Sequence, residues 1–354
     1  MRVLVVSNMY PGPENPDYGA FVREMRLALE RRGVETELAA IDTRASGPLA
    51  TPAKYTRLLA ATARRARKCD VIYAHYLIPT GAIAAACGRV ARRPWVLTAH
   101  GRDVRNLSSA SIRAATARAL RGASAVIAVS NYLASELRAS GLDLPRVEVA
   151  NMGVDLDTFT IRDPDQARGA LGVESVGALV LAVGGLNARK NPLGLLQAFV
   201  RVHQELPGAR LVFVGDGPQA GAVRAGVRRL NLEGAVLLPG AVEHADVATW
   251  MAACDVLALP SLVEPLGVVA LEALASGRGV VATRVGGAAE VVPSSGPGRH
   301  VDPSNPVEIA AAIVQLLRNP PTPEACRGVA AANSIDLQAE IVLQVLRRAI
   351  SESG

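Results

Sequence analysis

Aromatic side chains are scarce in this chain, and long apolar runs are missing. Only 3% of the 354 residues are aromatic, although half are hydrophobic, and this composition argues against a surface that stacks nucleic-acid bases. No apolar run approaches the length of a membrane span, and the first one, residues 3–6, is too short for a signal peptide. We therefore expect a cytoplasmic protein that has no nucleic-acid partner.

Paired cysteines and several familiar active-site motifs are also absent. The four cysteines, at positions 69, 87, 254 and 326, form no C-x-x-C pair, which predicts free thiols rather than a disulfide framework or zinc site. Neither G-x-G-x-x-G after the first strand nor G-x-x-x-x-G-K-[ST] occurs, and H-E-x-x-H and G-x-S-x-G are missing too. Dinucleotide, P-loop, zinc-protease and esterase chemistry therefore find no support, and we expect neither metal nor cofactor.

The positive charge is concentrated in the first half of the chain. Residues 1–170 contain 24 Lys and Arg against 16 Asp and Glu, or +8, and the remainder contains 14 against 16, or −2. The basic residues cluster in 54–68, 89–93 and 102–121. One interpretation is a solvated arginine-rich face, which the lack of interleaved Trp or Phe favours. The other is contact with an anionic acceptor or with lipid at the inner membrane face.

Strand and helix patterns alternate along the chain, which predicts an α/β protein with parallel sheets. Buried-strand patterns occupy residues 2–8, 34–41, 70–76, 94–101, 125–131 and 146–155, and then 178–186, 209–218, 235–240, 255–261 and 279–287. The alternation pauses in the polar stretch 161–177. We therefore predict two doubly wound domains, residues 1–160 and 178–335, joined by a linker at 161–177, with a last helix in 336–354 that crosses back to the first domain.

The stretch from Ser261 to Gly277 is the most informative part of the sequence. It places Glu264 in a turn after a buried strand and Glu272 inside the helix that follows. In a parallel sheet such a turn lies at the carboxyl edge, and the helix start offers N–H groups to an anion. The carboxylates would then bind hydroxyls of a ligand that carries both phosphate and sugar. The alternative is that they are only a capping feature and a solvated face.

Eight short motifs follow one another in a characteristic order. The most specific is E-P-x-G-x-x-x-x-E at 264–272. The others are Y-G-A-F-V at 18–22, T-A-H-G-R-D-V at 98–104, V-S-N at 129–131, N-M-G-V-D at 151–155, V-G-G-L-N-A-R-K-N at 183–191, V-G-D-G-P at 214–218 and V-G-G at 285–287. Together they resemble the retaining family-4 glycosyltransferases, which have the GT-B fold and an E-x7-E motif. The resemblance implies two Rossmann-like domains facing each other across a cleft.

The resemblance also implies a reaction. A hexosyl group would pass from a UDP- or GDP-sugar to an acceptor hydroxyl with retention, forming an α-glycosidic bond in a glycolipid, polysaccharide or glycosylated natural product. The first domain would bind the acceptor, anionic or lipid-linked, and the second the donor. In such enzymes the leaving phosphate oxygen takes the acceptor's proton, so neither a dedicated base nor a metal is expected.

Residue roles carry over from the family motifs. The catalytic residues would be His100 at the donor sugar, Lys190 at the diphosphate and Glu264 at the sugar hydroxyls, with Glu272 on the ribose. The remaining predicted donor contacts are Gly19, Gly184, Arg189, Gly215, Asp216, Leu266, Gly267 and Val268. The acceptor-side candidates are His75, Arg102 and Asp103.

One position departs from the family pattern. The family usually has arginine where this chain has Gly185, so one of two cations for the diphosphate is missing. Arg189, Arg284 or Arg23 would have to compensate. This departure motivates one alternative function, a catalytically weak sugar-binding subunit. A separate alternative is a nucleotide-sugar epimerase on the same fold, with His75 and His100 as its acid and base.

Overall fold

Two six-stranded parallel sheets form the framework of the chain. The computed structural model describes residues 1–15, 18–173 and 177–353 and divides into two compact units, Met1–Gly153 with Ile335–Gly354, and Val154–Ser334. The predicted α/β architecture of two doubly wound, Rossmann-like domains is confirmed. Within the described residues, the helices lack the length and apolar character needed to cross a bilayer.

The first unit has the sheet order β2-β1-β3-β4-β5-β6. Its strands are β1 (Arg2–Ser7), β2 (Glu35–Ala40), β3 (Val71–His75), β4 (Trp95–Ala99), β5 (Ala125–Ala128) and β6 (Arg146–Val149). Its helices are α1 (Ala20–Arg31), α2 (Ala50–Ala66), α3 (Thr80–Ala91), α4 (Arg102–Arg105), α5 (Ala110–Leu120), α6 (Asn131–Ala139) and, from the end of the chain, α15 (Ile335–Ser351). Strands β3, β4 and β5 are buried along their whole length, as strands covered by helices on both faces must be.

The last helix completes the first unit. Helix α15 packs against α1 and against β3, β4 and β5. Its buried face includes Val342, Leu343 and Leu346. At its ends, Arg32 pairs with Asp336 at 2.8 Å and Arg146 pairs with Glu352 at 3.1 Å.

The second unit has the sheet order β12-β11-β10-β7-β8-β9. Its strands are β7 (Leu179–Val183), β8 (Arg210–Val214), β9 (Val236–Gly240), β10 (Val256–Leu259), β11 (Gly279–Thr283) and β12 (Gly298–Val301). Its helices are α7 (Pro164–Ala170), α8 (Pro192–Glu205), α9 (Ala220–Arg229), α10 (His244–Ala253), α11 (Val268–Ala275), α12 (Ala288–Val291), α13 (Pro306–Arg318) and α14 (Pro323–Ala331). The order reverses between β7 and β10, and the crevice at such a switch point is where α/β sheets bind ligands.

The stretch predicted as a linker forms part of the second unit, and its residues 174–176 lie outside the described part of the chain. Helix α7 packs on α10, and Asp163 caps it by accepting the N–H groups of Asp165 and Gln166. Arg168, 8% exposed, donates to Asp255 Oδ2 at 2.7 Å and to the Ala253 carbonyl at 2.9 Å. The polar composition of this stretch therefore includes an ion pair between the buried Arg168 and the half-buried Asp255, which ties α7 to the start of β10.

Two local details are not evident from the sequence pattern. The edge strand β12 has no strand signal in the sequence, because it is four residues long and only its two ends are buried. Helix α11 starts at Val268 with Gly267 as its N-cap, so Pro265 precedes the helix.

The ion pair at Arg168 generates a stability prediction. Replacing Arg168 with Met should lower the free energy of unfolding by about 2 kcal/mol, because Asp255 keeps a partly buried charge without its partner. Urea denaturation followed by circular dichroism measures the change. Arg201→Met, an exposed arginine on α8, is the matched control and should change stability by less than about 0.5 kcal/mol. Equal effects from the two variants would contradict the role assigned to the pair.

Candidate active site

Backbone hydrogen bonds join the loops at the carboxyl edge of the second sheet. Gly184 N–H donates to the Val214 carbonyl at 2.9 Å, and Leu186 N–H donates to the Asp216 carbonyl at 2.9 Å. Two further bonds run from Leu262 N–H to the Arg189 carbonyl at 2.8 Å and from Gly215 N–H to the Gly240 carbonyl at 2.8 Å. The loops after β7, β8, β9 and β10 are thus held together at the switch point.

An ion pair between Lys190 and Glu264 lies at the centre of this edge. Lys190 Nζ is 2.7 Å from Glu264 Oε2, and the Ser261 hydroxyl donates to the same oxygen at 2.9 Å. Glu264 is 5% exposed. Burial alone would raise the pKa of Glu264, but the Lys190 ammonium, the Ser261 hydroxyl and the charge of Arg189 together hold it below its usual value. Glu264 is therefore an ionised, nearly buried carboxylate.

Local turns position both members of the pair. Asn187 accepts the backbone N–H groups of Arg189 and Lys190 at 3.1 and 3.4 Å, which caps the 3-10 turn Ala188–Lys190. Glu264 N–H donates to the Val285 carbonyl at 3.2 Å. Beside it Gly286 has φ 102°, and a Cβ there would overlap the Glu264 carbonyl, so only glycine fits this approach.

A second asparagine side chain, that of Asn191, fixes the chain directly after the 3-10 turn. Asn191 has φ 55° and donates to the carbonyls of Pro260 and Pro303 at 3.2 and 2.7 Å.

An apolar pocket opens beside Lys190. Among the residues that line it are Gly184, Gly185, Phe213, Leu259 and Pro260. The site thus combines a cation, a carboxylate and an apolar recess within one unit.

Helix α11 follows Glu264 directly. Gly267, with φ 80°, caps it through the backbone, and within the described residues no side chain caps this helix. The first-turn N–H groups around Val268 can therefore donate to a ligand oxygen. Leu266 is buried just before the helix, and Glu272, in its second turn, is 5% exposed.

The cations proposed to replace the family's arginine differ in their availability. Arg189 contributes to the lowered pKa of Glu264 and so acts on this site. Arg284 forms an ion pair with Glu308. Arg23 lies on α1 in the first unit. Gly185 itself is exposed, and the nearest atom to a Cβ there would be Asn187 Nδ2 at 3.3 Å.

The candidate site residues of the first unit include two neighbouring histidines. His75 ends β3 and His100 follows β4, and His75 Nδ1 is 3.1 Å from His100 Nε2. Burial lowers the pKa of His75 to about 3, and burial together with His75 lowers the pKa of His100. The rings of Phe21 and Tyr76 lie 5.0 and 4.6 Å from the His100 ring, centroid to centroid.

Asp103 lies between the two loops that carry these histidines. Its carboxylate accepts the N–H groups of Leu77, His100 and Gly101 at 3.0, 3.1 and 2.9 Å, and it is 5% exposed. Burial raises the pKa of Asp103, and the backbone N–H groups oppose that rise. Its contacts indicate a loop-positioning residue. Arg102 is exposed at the start of α4.

The remaining predicted contacts are backbone positions, and three site residues received no role from the sequence. Gly19 caps α1 with φ 76°, and Gly215 has φ 137°. Asn187 and Asn191 belong to the motif at 183–191, and Ser261 begins the stretch that contains Glu264. An Asn before a helical turn is an N-cap signal, and it identifies Asn187; the hydrogen bond from Ser261 to Glu264 has no signal in the sequence.

Two family models and several curated relatives match this chain. The family model "Glycosyltransferase Family 4" matches residues 2–158, and "Glycosyl transferases group 1" matches residues 165–332. A D-inositol 3-phosphate glycosyltransferase of Pseudarthrobacter chlorophenolicus is 30% identical over 91% of this chain and 88% of that protein. D-inositol 3-phosphate glycosyltransferase 2 of Catenulispora acidiphila is 36% identical over 55% of this chain, and the match spans 48% of its length.

A solved structure has the same fold. HepE of Anabaena, crystallised with UDP and glucose, has a TM-score of 0.79 and 24% identity over 98% of this chain and 99% of that one. One family model matches each half of the chain, and one relative aligns along nearly all of it. The chain therefore belongs to the family-4 glycosyltransferases and has the GT-B fold.

Proposed function

We propose that this chain is a retaining, metal-independent glycosyltransferase that moves a hexosyl group from a UDP- or GDP-sugar to an acceptor hydroxyl with formation of an α-glycosidic bond. The observation that carries the proposal is the Lys190–Glu264 pair at the switch point of the second sheet. Its cation suits a diphosphate, and its carboxylate suits sugar hydroxyls. The UDP bound in HepE and the names of the inositol phosphate relatives support the same class of substrates.

The pair has a direct consequence for donor binding. Lys190 is held by Glu264, so an incoming diphosphate competes with the carboxylate for the ammonium. We propose that Lys190 turns toward the diphosphate while Glu264 accepts hydrogen bonds from the hydroxyl groups of the donor sugar. The N–H groups from Leu266 to Val268 would meet sugar and phosphate oxygens, and Glu272 would bind the ribose. Gly184, Gly215 and Asp216 would line the nucleotide, with Gly19 in the first unit.

The reaction follows from this charge arrangement. The bond from the anomeric carbon to the phosphate oxygen breaks as the bond to the acceptor oxygen forms on the same face of the sugar. The acceptor proton passes to the departing phosphate oxygen. Lys190, aided by Arg189, stabilises the charge that develops on the nucleoside diphosphate, the largest electrostatic contribution in such a step.

From the first unit, we propose that His100 contacts the donor sugar, while Arg102 remains the exposed acceptor-side candidate. His75 is 0% exposed and bonded to His100. The two rings therefore lie side by side. An epimerase would need an acid and a base on opposite faces of the sugar, so this arrangement argues against the epimerase alternative. If calorimetry shows that a nucleotide sugar binds but no turnover is detected, the chain is instead a catalytically weak sugar-binding subunit.

Removing the cation tests the site. Lys190→Met should lower kcat/KM for the preferred donor by about a hundredfold or more, because the leaving diphosphate loses its main counter-charge. The measurement is release of nucleoside diphosphate from a panel of UDP-, GDP- and ADP-sugars, with inositol phosphate as a trial acceptor and excess EDTA in a parallel series. Lys68→Met, an exposed lysine of the first unit, is the control. Unchanged turnover in Lys190→Met and Glu264→Gln would show that the assigned site is wrong, and loss of activity with EDTA would overturn metal independence.

Restoring the family's arginine gives a prediction of opposite sign. Gly185→Arg should raise kcat/KM about tenfold, because a second cation then faces the diphosphate. Gly185 does not have the left-handed φ of Gly184 and Gly215. A Cβ there would lie 3.3 Å from Asn187 Nδ2, the end of a side chain, and 3.7 Å from the Asp216 carbonyl oxygen, which is an ordinary contact. Gly221→Arg on α9, where a Cβ meets nothing within 4 Å, adds the same charge elsewhere and should change nothing. A loss of activity in Gly185→Arg alone would mean that the diphosphate lies elsewhere.

We also propose that the first unit contacts anionic lipid, where a lipid-linked or anionic acceptor would be met. Residues 43–102 contain 11 Lys and Arg and one acidic residue, Asp70. Helices α2, α3 and α5 pack side by side, and none of the three contains Asp or Glu. A groove of about 570 Å³ runs between α2 and α3; its lining includes Leu59, Val90, Arg64 and Arg67. Val90 is 74% exposed.

Vesicle binding tests this contact. Co-sedimentation with phosphatidylglycerol vesicles should exceed that with phosphatidylcholine and fall with salt. Arg64→Gln with Arg67→Gln should weaken binding about thirtyfold, at about 1 kcal/mol for each of the two cations near the surface. Arg224→Gln with Arg228→Gln, two exposed arginines of α9, is the control. Absence of sedimentation even at low salt, or tighter binding of an oligonucleotide to the same face, would overturn the proposal.

A further inference from the structure

The histidine pair of the first unit has the geometry of one N–H···N hydrogen bond. Strands β3 and β4 are paired so that His75 stands opposite Thr98, and His100 is the second residue after Thr98. The ring planes are within 24° of each other and the centroids are 5.3 Å apart. At that centroid distance, the 3.1 Å separation of His75 Nδ1 and His100 Nε2 joins ring edges, not ring faces. One of the two nitrogens must carry the proton.

The loops hold both rings in this register. The Thr80 hydroxyl donates to the His75 carbonyl. Asp103 accepts Leu77 N–H from the loop after β3 and His100 N–H from the loop after β4. These bonds link the two loops through one carboxylate. The backbone of the two loops therefore places the imidazoles next to each other.

The surroundings of His75 decide where the proton lies. His75 Nε2 is buried and has no hydrogen-bond partner among the residues that the structure describes, and the Tyr73 ring lies 4.7 Å away, centroid to centroid. Burial keeps both imidazoles neutral, so each ring carries one proton. If His100 Nε2 carried the shared proton, His75 would have to bury an N–H donor without an acceptor. Orphaned N–H donors are the rarer and costlier defect.

We propose that His75 is a positioning residue that donates its Nδ1–H to His100 and thereby fixes His100 as the Nδ1–H tautomer. His100 then presents an N–H donor, not a lone pair, on the ring edge away from His75. The inference rests on the proposed function only in naming the recipient, an oxygen of the donor sugar. The tautomer itself is a property of the donor-free protein.

Long-range proton–nitrogen NMR correlation of the five histidines tests the tautomer without reference to activity. We expect a protonated Nδ1 and an unprotonated Nε2 for His100, and the same protonation for His75. His75→Phe, which keeps an aromatic ring without the donor, should shift His100 toward the Nε2–H form. His203→Phe, a histidine near the Ala209 carbonyl in the second unit, is the control and should leave His100 unchanged. A wild-type His100 protonated on Nε2 would overturn the assignment whatever the activity.

Kinetics test whether the tautomer matters. His75→Phe should lower kcat/KM about tenfold or more, mainly through kcat, because the ligand meets a lone pair instead of a donor. In His75→Asn the amide N–H can replace Nδ1–H, and kcat/KM should recover to within about threefold of wild type. Thermal unfolding of both variants separates misfolding from repositioning. If His75→Phe loses stability but His75→Asn gives no recovery, or if His75→Phe keeps full kcat/KM, the positioning role is wrong. If no form turns over nucleotide sugar, the proposed function fails while the NMR result still decides the tautomer.

Discussion

The nearly buried carboxylate of Glu264 sets the requirements that the rest of the second unit's edge fulfils. Taking a carboxylate out of water costs several kcal/mol unless a partner and further hydrogen bonds repay it. Lys190 supplies the partner and Ser261 a hydrogen bond. Gly286 allows the neighbouring loop to approach. A loop arrangement that separated these groups would leave a charge buried without compensation, so the ion pair and the loop conformations stabilise one another.

Much of the architecture follows from hydrophobic pattern alone. Strands such as β4 and β11 are buried at every position, and short apolar runs bounded by turn residues identify such strands well. An element that buries few apolar residues leaves no such pattern in the sequence. Strand β12 lies at the sheet edge and buries only two residues. Helix α7 is polar and is attached through Arg168 and through a small apolar contact of Ala167 with α10.

The site was less accessible from the sequence than the fold. The motif order predicted Lys190 and Glu264 as site residues, but not as partners. They are 74 residues apart, and only the order of strands in the sheet brings β7 next to β10. Asp103 illustrates the opposite case. Asp103 was predicted as an acceptor-side candidate from the family motif, and that role stays a prediction. Its oxygens also accept backbone N–H groups, which no spacing rule reveals.

The chain passes between the two units twice, after Gly153 and after Ser334, and the two passages run side by side. Val154 N–H donates to the Asn333 carbonyl at 3.1 Å, and a Cβ at Gly153 would overlap the Ile335 backbone. The second unit is thus inserted into the first with its two ends adjoining, as in domains that tolerate insertion or circular permutation. A module closed in this way can be exchanged as a unit, because only two adjoining chain passages connect it to the sheet that receives it.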